Sequence, residues 1–180
     1  MKDKIFLPDL RSMAWARFHE DDHVFECLVA PSLKELHVFS WGVTEFSSLS
    51  TIQIFQYDSG DDLLRVGSSL EDILSGMPIL VEFETSLEIP TPTLQKVLHG
   101  ELLPFLEVMK CGVAFELADV FIDVFEKGLQ NGAALRGRLR EVQVQLTAMR
   151  CHTSPPESAM RHAERIMRIY GIDFHFRRGI

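Results

Sequence analysis

The chain has 180 residues, 46% hydrophobic and 24% charged, with a formal net charge of −8. That length suits one domain with a sizeable core, and that composition excludes an intrinsically disordered chain. The net acidity excludes nucleic acid wrapped over the whole surface, and no apolar run reaches the ~20 residues that a membrane helix needs.

Met1 to Phe6 carries two lysines with no apolar run behind them, which is not the pattern of a secretory signal. Asp9 is placed to cap a helix through Phe18, with Leu10, Met13, Ala14 and Phe18 on one side. His23 to Val29, Leu36 to Trp41 and Thr51 to Tyr57 read as three strands, and Asp58-Ser59-Gly60-Asp61 reads as a turn. Ser68 and Glu71 stand in capping-box spacing before a short helix that Gly76 ends. Ile79 to Thr85 alternates as a strand, and Leu87 and Ile89 suit the return arm of a hairpin. Thr91-Pro92 opens a helix that buries Leu94, Val97 and Leu98.

Val113 to Lys127 is expected as a helix. Leu117, Val120, Phe121, Val124 and Phe125 form its apolar stripe, and Glu116, Asp119, Asp123 and Glu126 its acidic face. Leu139 to Met149 alternates as a strand around Val142, Val144 and Leu146. Ser154-Pro155-Pro156-Glu157 opens a helix burying Ala159, Met160, Ala163, Ile166, Met167 and Tyr170, and Gly171 stops it. Ile172, Phe174 and Phe176 form a last strand. No internal repeat is visible. The pattern predicts one α+β domain over residues 1–180: a mostly antiparallel sheet with three to four helices. Residues 1–78 form its β-rich half and 79–180 its core.

Catalytic signals are sparse. His19 and His23 stand four apart with acids between, but a solvated loop explains three adjacent acids better than a metal site does. Asp58, Asp61 and Asp62 lack the full calcium-loop spacing. Cys27, Cys111 and Cys151 are odd in number and far apart, which suits reduced thiols. No P-loop, GxGxxG, GxSxG or CxxC occurs. The expectation is a non-enzymatic protein without catalytic residues, metal or cofactor.

Charge is the stronger lead. Residues 132–180 hold nine arginines, no lysine and four acids, a net of +5, while residues 1–131 carry −13. Arg161, Arg165 and Arg168 share one helical face, Arg136, Arg138 and Arg140 precede a strand, and Arg177 and Arg178 end the last one. Arginine favours bidentate contact with phosphate or carboxylate, so these eight residues are the candidate partner site. The acidic face Glu116, Asp119, Asp123 and Glu126 is the candidate self-association surface. The plainer alternative is a solvated arginine face that pairs with that acidic helix of the same chain.

From Ile79 onward the order of elements resembles the matrix proteins of rhabdoviruses. The residues are Ile79-Leu80-Val81-Glu82-Phe83-Glu84 with the hairpin to Ile89, the helix at Thr91-Pro92-Thr93 and the helix from Val113 to Phe125. They continue with the strand Glu141 to Thr147 and the step Tyr170-Gly171-Ile172-Asp173-Phe174. A short, plant-infecting type suits the length. The chain lacks that family's proline–tyrosine budding motif, since Pro155-Pro156 is followed by Glu157-Ser158. The resemblance implies a virion structural protein that self-associates, condenses the nucleocapsid and contacts an anionic membrane from the host cytoplasm, with no sequence-specific nucleic acid. The rival expectation is a small cytosolic protein-binding module of adaptor, immunity or chaperone type.

Overall fold

The computed structural model describes residues 4–17, 28–40, 49–58, 70–132, 137–147 and 154–178. The strands are β1 (Ile5–Phe6), β2 (Ser12–Arg17), β3 (Leu28–Val29), β4 (Glu35–Ser40), β5 (Ile54–Asp58), β6 (Glu82–Thr85), β7 (Val108–Ala114), β8 (Glu141–Thr147) and β9 (Asp173–Arg178). The helices are α1 (Leu70–Ser75), α2 (Thr91–His99), α3 (Ala118–Asn131) and α4 (Glu157–Tyr170). β1 and β3 make a small parallel pair. The main sheet has seven strands in the order β2-β4-β5-β6-β7-β8-β9, and every neighbouring pair is parallel.

The expected antiparallel α+β sheet is therefore wrong: this is an α/β fold. The physical reason lies in the connections. Antiparallel neighbours can be joined by a tight turn, whereas parallel neighbours need a crossover of a dozen or more residues. From β5 onward each crossover contains one α-helix among its described residues. The hairpin expected at 79–89 does not form, because the chain leaves β6 for α2 and returns as β7, parallel to β6.

Register shows a repeat that the linear sequence conceals. Met13, Leu36, Phe55, Phe83, Met109, Val142 and Phe174 lie side by side across the sheet. Three residues before each of the first six stands Leu10, Leu33, Ile52, Leu80, Leu106 or Leu139. Two residues after stand Trp15, Val38, Tyr57, Thr85, Cys111, Val144 and Phe176. The backbone repeats too. One carbonyl at each strand entrance accepts two N–H groups from the next strand: Arg11 from Lys34 and Glu35, Lys34 from Gln53 and Ile54, Gln53 from Val81 and Glu82, Val81 from Glu107 and Val108, and Glu107 from Arg140 and Glu141. Successive units contact mainly their neighbours, which makes the described fold a solenoid.

Several local expectations change with it. In place of the helix expected over Asp9–Phe18, Ser12–Arg17 form strand β2. Residues 113–114 belong to β7, a strand unrecognised in the sequence, and α3 begins at Ala118. The α3 stripe is rotated from the expected one: Ala118, Phe121, Ile122, Phe125 and Leu129 are buried, while Leu117 and Val120 are exposed. Pro90 and Pro156, rather than Thr91 and Ser154, occupy the N-cap positions of α2 and α4. Strands β8 and β9 bury Val142, Val144, Leu146 and Phe174 of the alternations expected of them, with Phe176 half-buried, and β4 buries Leu36 and Val38. The Ser68 cap, the turn beyond Asp58 and the start of the 23–29 strand lie outside the described residues.

The inward rungs and the helices share one core. Phe55 is fully buried and stacks on Phe83 with ring centres 6.1 Å apart, and Phe125 of α3 meets Phe174 of β9 edge-on at 5.5 Å. α2 packs on α3, α3 on α4, and α4 on β9. All this apolar packing lies on one side of the sheet.

Candidate functional site

The opposite side of the sheet carries the alternate residues, and the described elements leave it largely open. Three rows cross it. The row at the strand entrances is Ser12, Glu35, Ile54, Glu82, Val108, Glu141 and Asp173. The middle row is Ala14, His37, Gln56, Glu84, Lys110, Gln143 and His175. The third row, towards the carboxyl ends, includes Ala16, Phe39, Asp58, Gly112, Gln145 and Arg177. Strand pleating alone puts these residues on this face, because side chains alternate with a period of two.

Polar contacts knit the rows. His37 Nδ1 and Gln56 Oε1 are 2.6 Å apart. Lys110 Nζ donates to Glu82 at 2.6 Å and to Glu84 at 3.4 Å. Gln143 donates to Glu141, and His175 lies 2.8 Å from Asp173. Burial pushes the Lys110 pKa down, but the hydrogen bonds and charges of Glu82 and Glu84 outweigh it and raise the net value. Ser86 Oγ donates to Asp58 at 2.5 Å.

At the carboxyl ends these residues enclose a depression of about 310 Å³, lined among others by Gln56, Asp58, Glu84, Ser86, Lys110 and Arg177. Gly112 lets the chain turn inward here. A Cβ at Gly112 would stand 1.9 Å from the Ser86 carbonyl oxygen, so the backbone leaving β6 rests directly on the glycine. The depression has donors and acceptors, among them the Ser86 hydroxyl held by the Asp58 carboxylate. Cys111 beside it is buried, and burial, with the Glu88 charge adding, pushes its thiol up to about 12. Such a thiol is inert near neutral pH. Among the described residues no group of three His, Cys, Asp or Glu could hold a metal ion, and no helix is long and apolar enough to cross a membrane.

The arginines expected to form one site are scattered. Arg177 alone of the described arginine side chains reaches the depression on the open face. Arg138 donates to the Pro104 carbonyl at 2.8 Å and lies over the Phe105 ring at 5.0 Å. Arg140 approaches Glu107 at 3.6 Å. Arg161, Arg165 and Arg168 are on α4, on the helical side. There Arg161 pairs with Glu157 at 3.1 Å and Arg165 with Glu126 of α3. Arg168 is exposed and pairs with no described residue. Arg136 lies outside the described residues, and Arg178 is the last backbone position of β9.

The acidic face is also divided. Glu126 is buried beneath Arg165, Asp123 pairs with Lys127 at 2.7 Å, and Glu116 and Asp119 are exposed. The Arg165–Glu126 contact is the intramolecular pairing of the two helices that the plainer alternative describes. Glu35 and Lys110 were not singled out from the sequence, Asp58 was weighed only for a turn and for calcium, and Glu82, Glu84 and Gln143 only as parts of strands. Aligning beneath one another the six-residue segments with apolar first and fourth positions would have found them, since they fill or directly follow the variable positions.

No protein-family profile, curated protein or solved structure matches the chain.

Proposed function

We propose that the chain is a non-enzymatic protein-binding module whose recognition surface is the open face of the parallel sheet. The observation that carries this reading is the asymmetry of the sheet. One side packs the apolar core against the helices, and the other presents rows in which polar and charged side chains predominate, fixed by strand register. The strands of the main sheet, each one repeat unit and all but β9 with apolar residues at the first and fourth positions of a six-residue segment, follow the arrangement of leucine-rich-repeat solenoids, whose stacked strands provide extended binding surfaces. Rows fixed by strand register suit a macromolecular partner, because neighbouring rungs recur at ~4.8 Å over the whole width of the sheet.

The test is partner capture with three forms of the full chain. A Gln56→Arg/Gln145→Arg variant places bulk and charge on the open face. An Arg161→Glu/Arg168→Glu variant alters the exposed helical face. The reading expects the partner to survive the helical change and to be lost with the sheet change. The reverse result moves recognition to the helices.

A second reading, matrix-like self-assembly with nucleocapsid and membrane contacts, draws on one observation: Arg161 and Arg168 are exposed on the same side of the chain. It stands second because Arg165 is already held by Glu126. Sedimentation at low and high salt separates the two readings. Salt-dissolved oligomers favour assembly, and a monomer under both conditions removes it.

A further inference from the structure

We infer that the entrance row of the open face is a docking track for an extended basic segment of a partner protein, with lysine or arginine at every third residue. This inference rests on the open face being the recognition surface. The row reads Glu35, Ile54, Glu82, Val108, Glu141, Asp173 from β4 to β9. Carboxylates and aliphatic side chains alternate over its first five rungs, and no cation stands in it. Lys110 is the described lysine that reaches the row, and it divides itself between Glu82 and Glu84. Glu35 makes no ion pair with a described residue, and Asp173 meets only the imidazole of His175 in such a pair.

The spacing selects the occupant. Rungs lie ~4.8 Å apart, so Glu35, Glu82 and Glu141 recur at ~9.6 Å. A polyproline II segment rises 3.1 Å per residue with three residues per turn, so every third side chain returns to the same face after ~9.3 Å. Across the three carboxylates the mismatch is only ~0.6 Å. An α-helix matches with its seventh residue at ~10.5 Å and drifts ~1.8 Å over the same span. A β-strand repeats its face every ~6.7 Å and misses the period. Ile54 and Val108 lie between the carboxylates, where the methylene stems of lysine or arginine can rest. A preformed polyproline II segment also loses little conformational freedom on docking.

The experiment is a fluorescence-anisotropy titration of the full chain with three labelled decapeptides. One is KPPKPPKPPK, one has the same composition with its four lysines adjacent, and one has glutamine in place of lysine. The periodic peptide should bind at least about tenfold tighter than the clustered one. A Glu35→Gln/Glu141→Gln variant, checked for an unchanged circular dichroism melt, should lose about tenfold of that affinity. The Arg161→Glu/Arg168→Glu variant should lose none. Equal binding of the periodic and clustered peptides overturns the track, as does binding indifferent to Glu35 and Glu141. The Gln56/Gln145 capture test reads the wider recognition surface separately, so its loss of partner alongside such a result rejects the track alone.

Discussion

Replacing Gly112 with alanine drives a methyl group into backbone rather than into a yielding side chain. The new carbon would lie 1.9 Å from the Ser86 carbonyl oxygen and 2.7 Å from its carbon. A close C···O contact needs ~3.3 Å, so the segment after β6 must retreat by about 1.4 Å. That segment is anchored. Ser86 N donates to Tyr57 O at 3.3 Å, Ser86 Oγ to Asp58 at 2.5 Å and Leu87 N to Thr85 Oγ1 at 3.1 Å. Overpacking costs about 1–3 kcal/mol, and each displaced hydrogen bond removes about 0.5–1.5 kcal/mol. With two of them displaced the sum is about 2–6 kcal/mol. At this chain length each kcal/mol lowers Tm by about 2–4 °C, so Gly112→Ala should melt about 4–24 °C below the parent. Circular dichroism melts with parallel urea titrations measure it. Gly171→Ala is the internal control: its φ is +69° and nothing lies within 4 Å of the added carbon. It therefore meets only the left-handed penalty, about 1–2 kcal/mol. A Gly112→Ala protein that melts within about 2 °C of the parent, or above Gly171→Ala, refutes the close packing of β6 on β7.

Phe55→Ala should destabilise by about 3–5 kcal/mol, measured by urea denaturation, because the ring is fully buried and stacked between repeats. Lys110 has a raised folded pKa, so its contribution is complete below the ordinary lysine value of ~10.4 and fades as pH rises through the folded value. The stability gap between the parent and Lys110→Met should accordingly stay constant from pH 6 to 9 and close only in more alkaline solution. A gap that closes near neutrality contradicts the Glu82–Lys110–Glu84 arrangement. Cys111, with its thiol pushed up to about 12, should resist a thiol reagent at pH 8 until the chain unfolds. Native labelling should be the same for the parent and Cys111→Ser.

Amphipathic elements were legible where local pattern and tertiary environment coincide. Alternation alone revealed the buried rungs of β4 and β8, and the core face of α2 was evident from Leu94, Val97 and Leu98. β7 was hidden because Val108–Ala114 is buried on both sides towards its end, where Cys111, Gly112 and Val113 follow one another. A two-sided strand has no alternation to read, and a glycine within it argues against a strand locally. With β7 missing, α3 was extended backwards and its stripe misplaced by part of a turn. Strand direction was illegible for a different reason. Alternation is identical in parallel and antiparallel sheets, and only the crossover lengths distinguish them. The repeat stayed hidden because equivalent positions from Met13 to Phe174 are 19 to 33 residues apart, too uneven for a fixed period.

The arginine-rich end illustrates how a solenoid redistributes sequence. In such a fold, position along the chain becomes position along the axis, while position within a repeat decides the face. The excess of arginine over residues 132–180 is therefore an axial property. It marks the last repeats without assembling one basic surface. Arg177 goes to the open sheet, Arg138 and Arg140 to the strand-entrance edge, and Arg161, Arg165 and Arg168 to the helical side. A partner lying across the strands meets one position from every repeat, so the relevant charge is summed over a row. The entrance row carries Glu35, Glu82, Glu141 and Asp173, and the described lysine reaching it, Lys110 of the middle row, is shared between Glu82 and Glu84, while the third row's described residues hold one acid, Asp58, and one cation, Arg177, on separate strands. The sign of the surface that a crossing partner meets is thus set by residues that come from four separate strands. Only strand register brings them together, and it makes the open face acidic even where the local chain is basic.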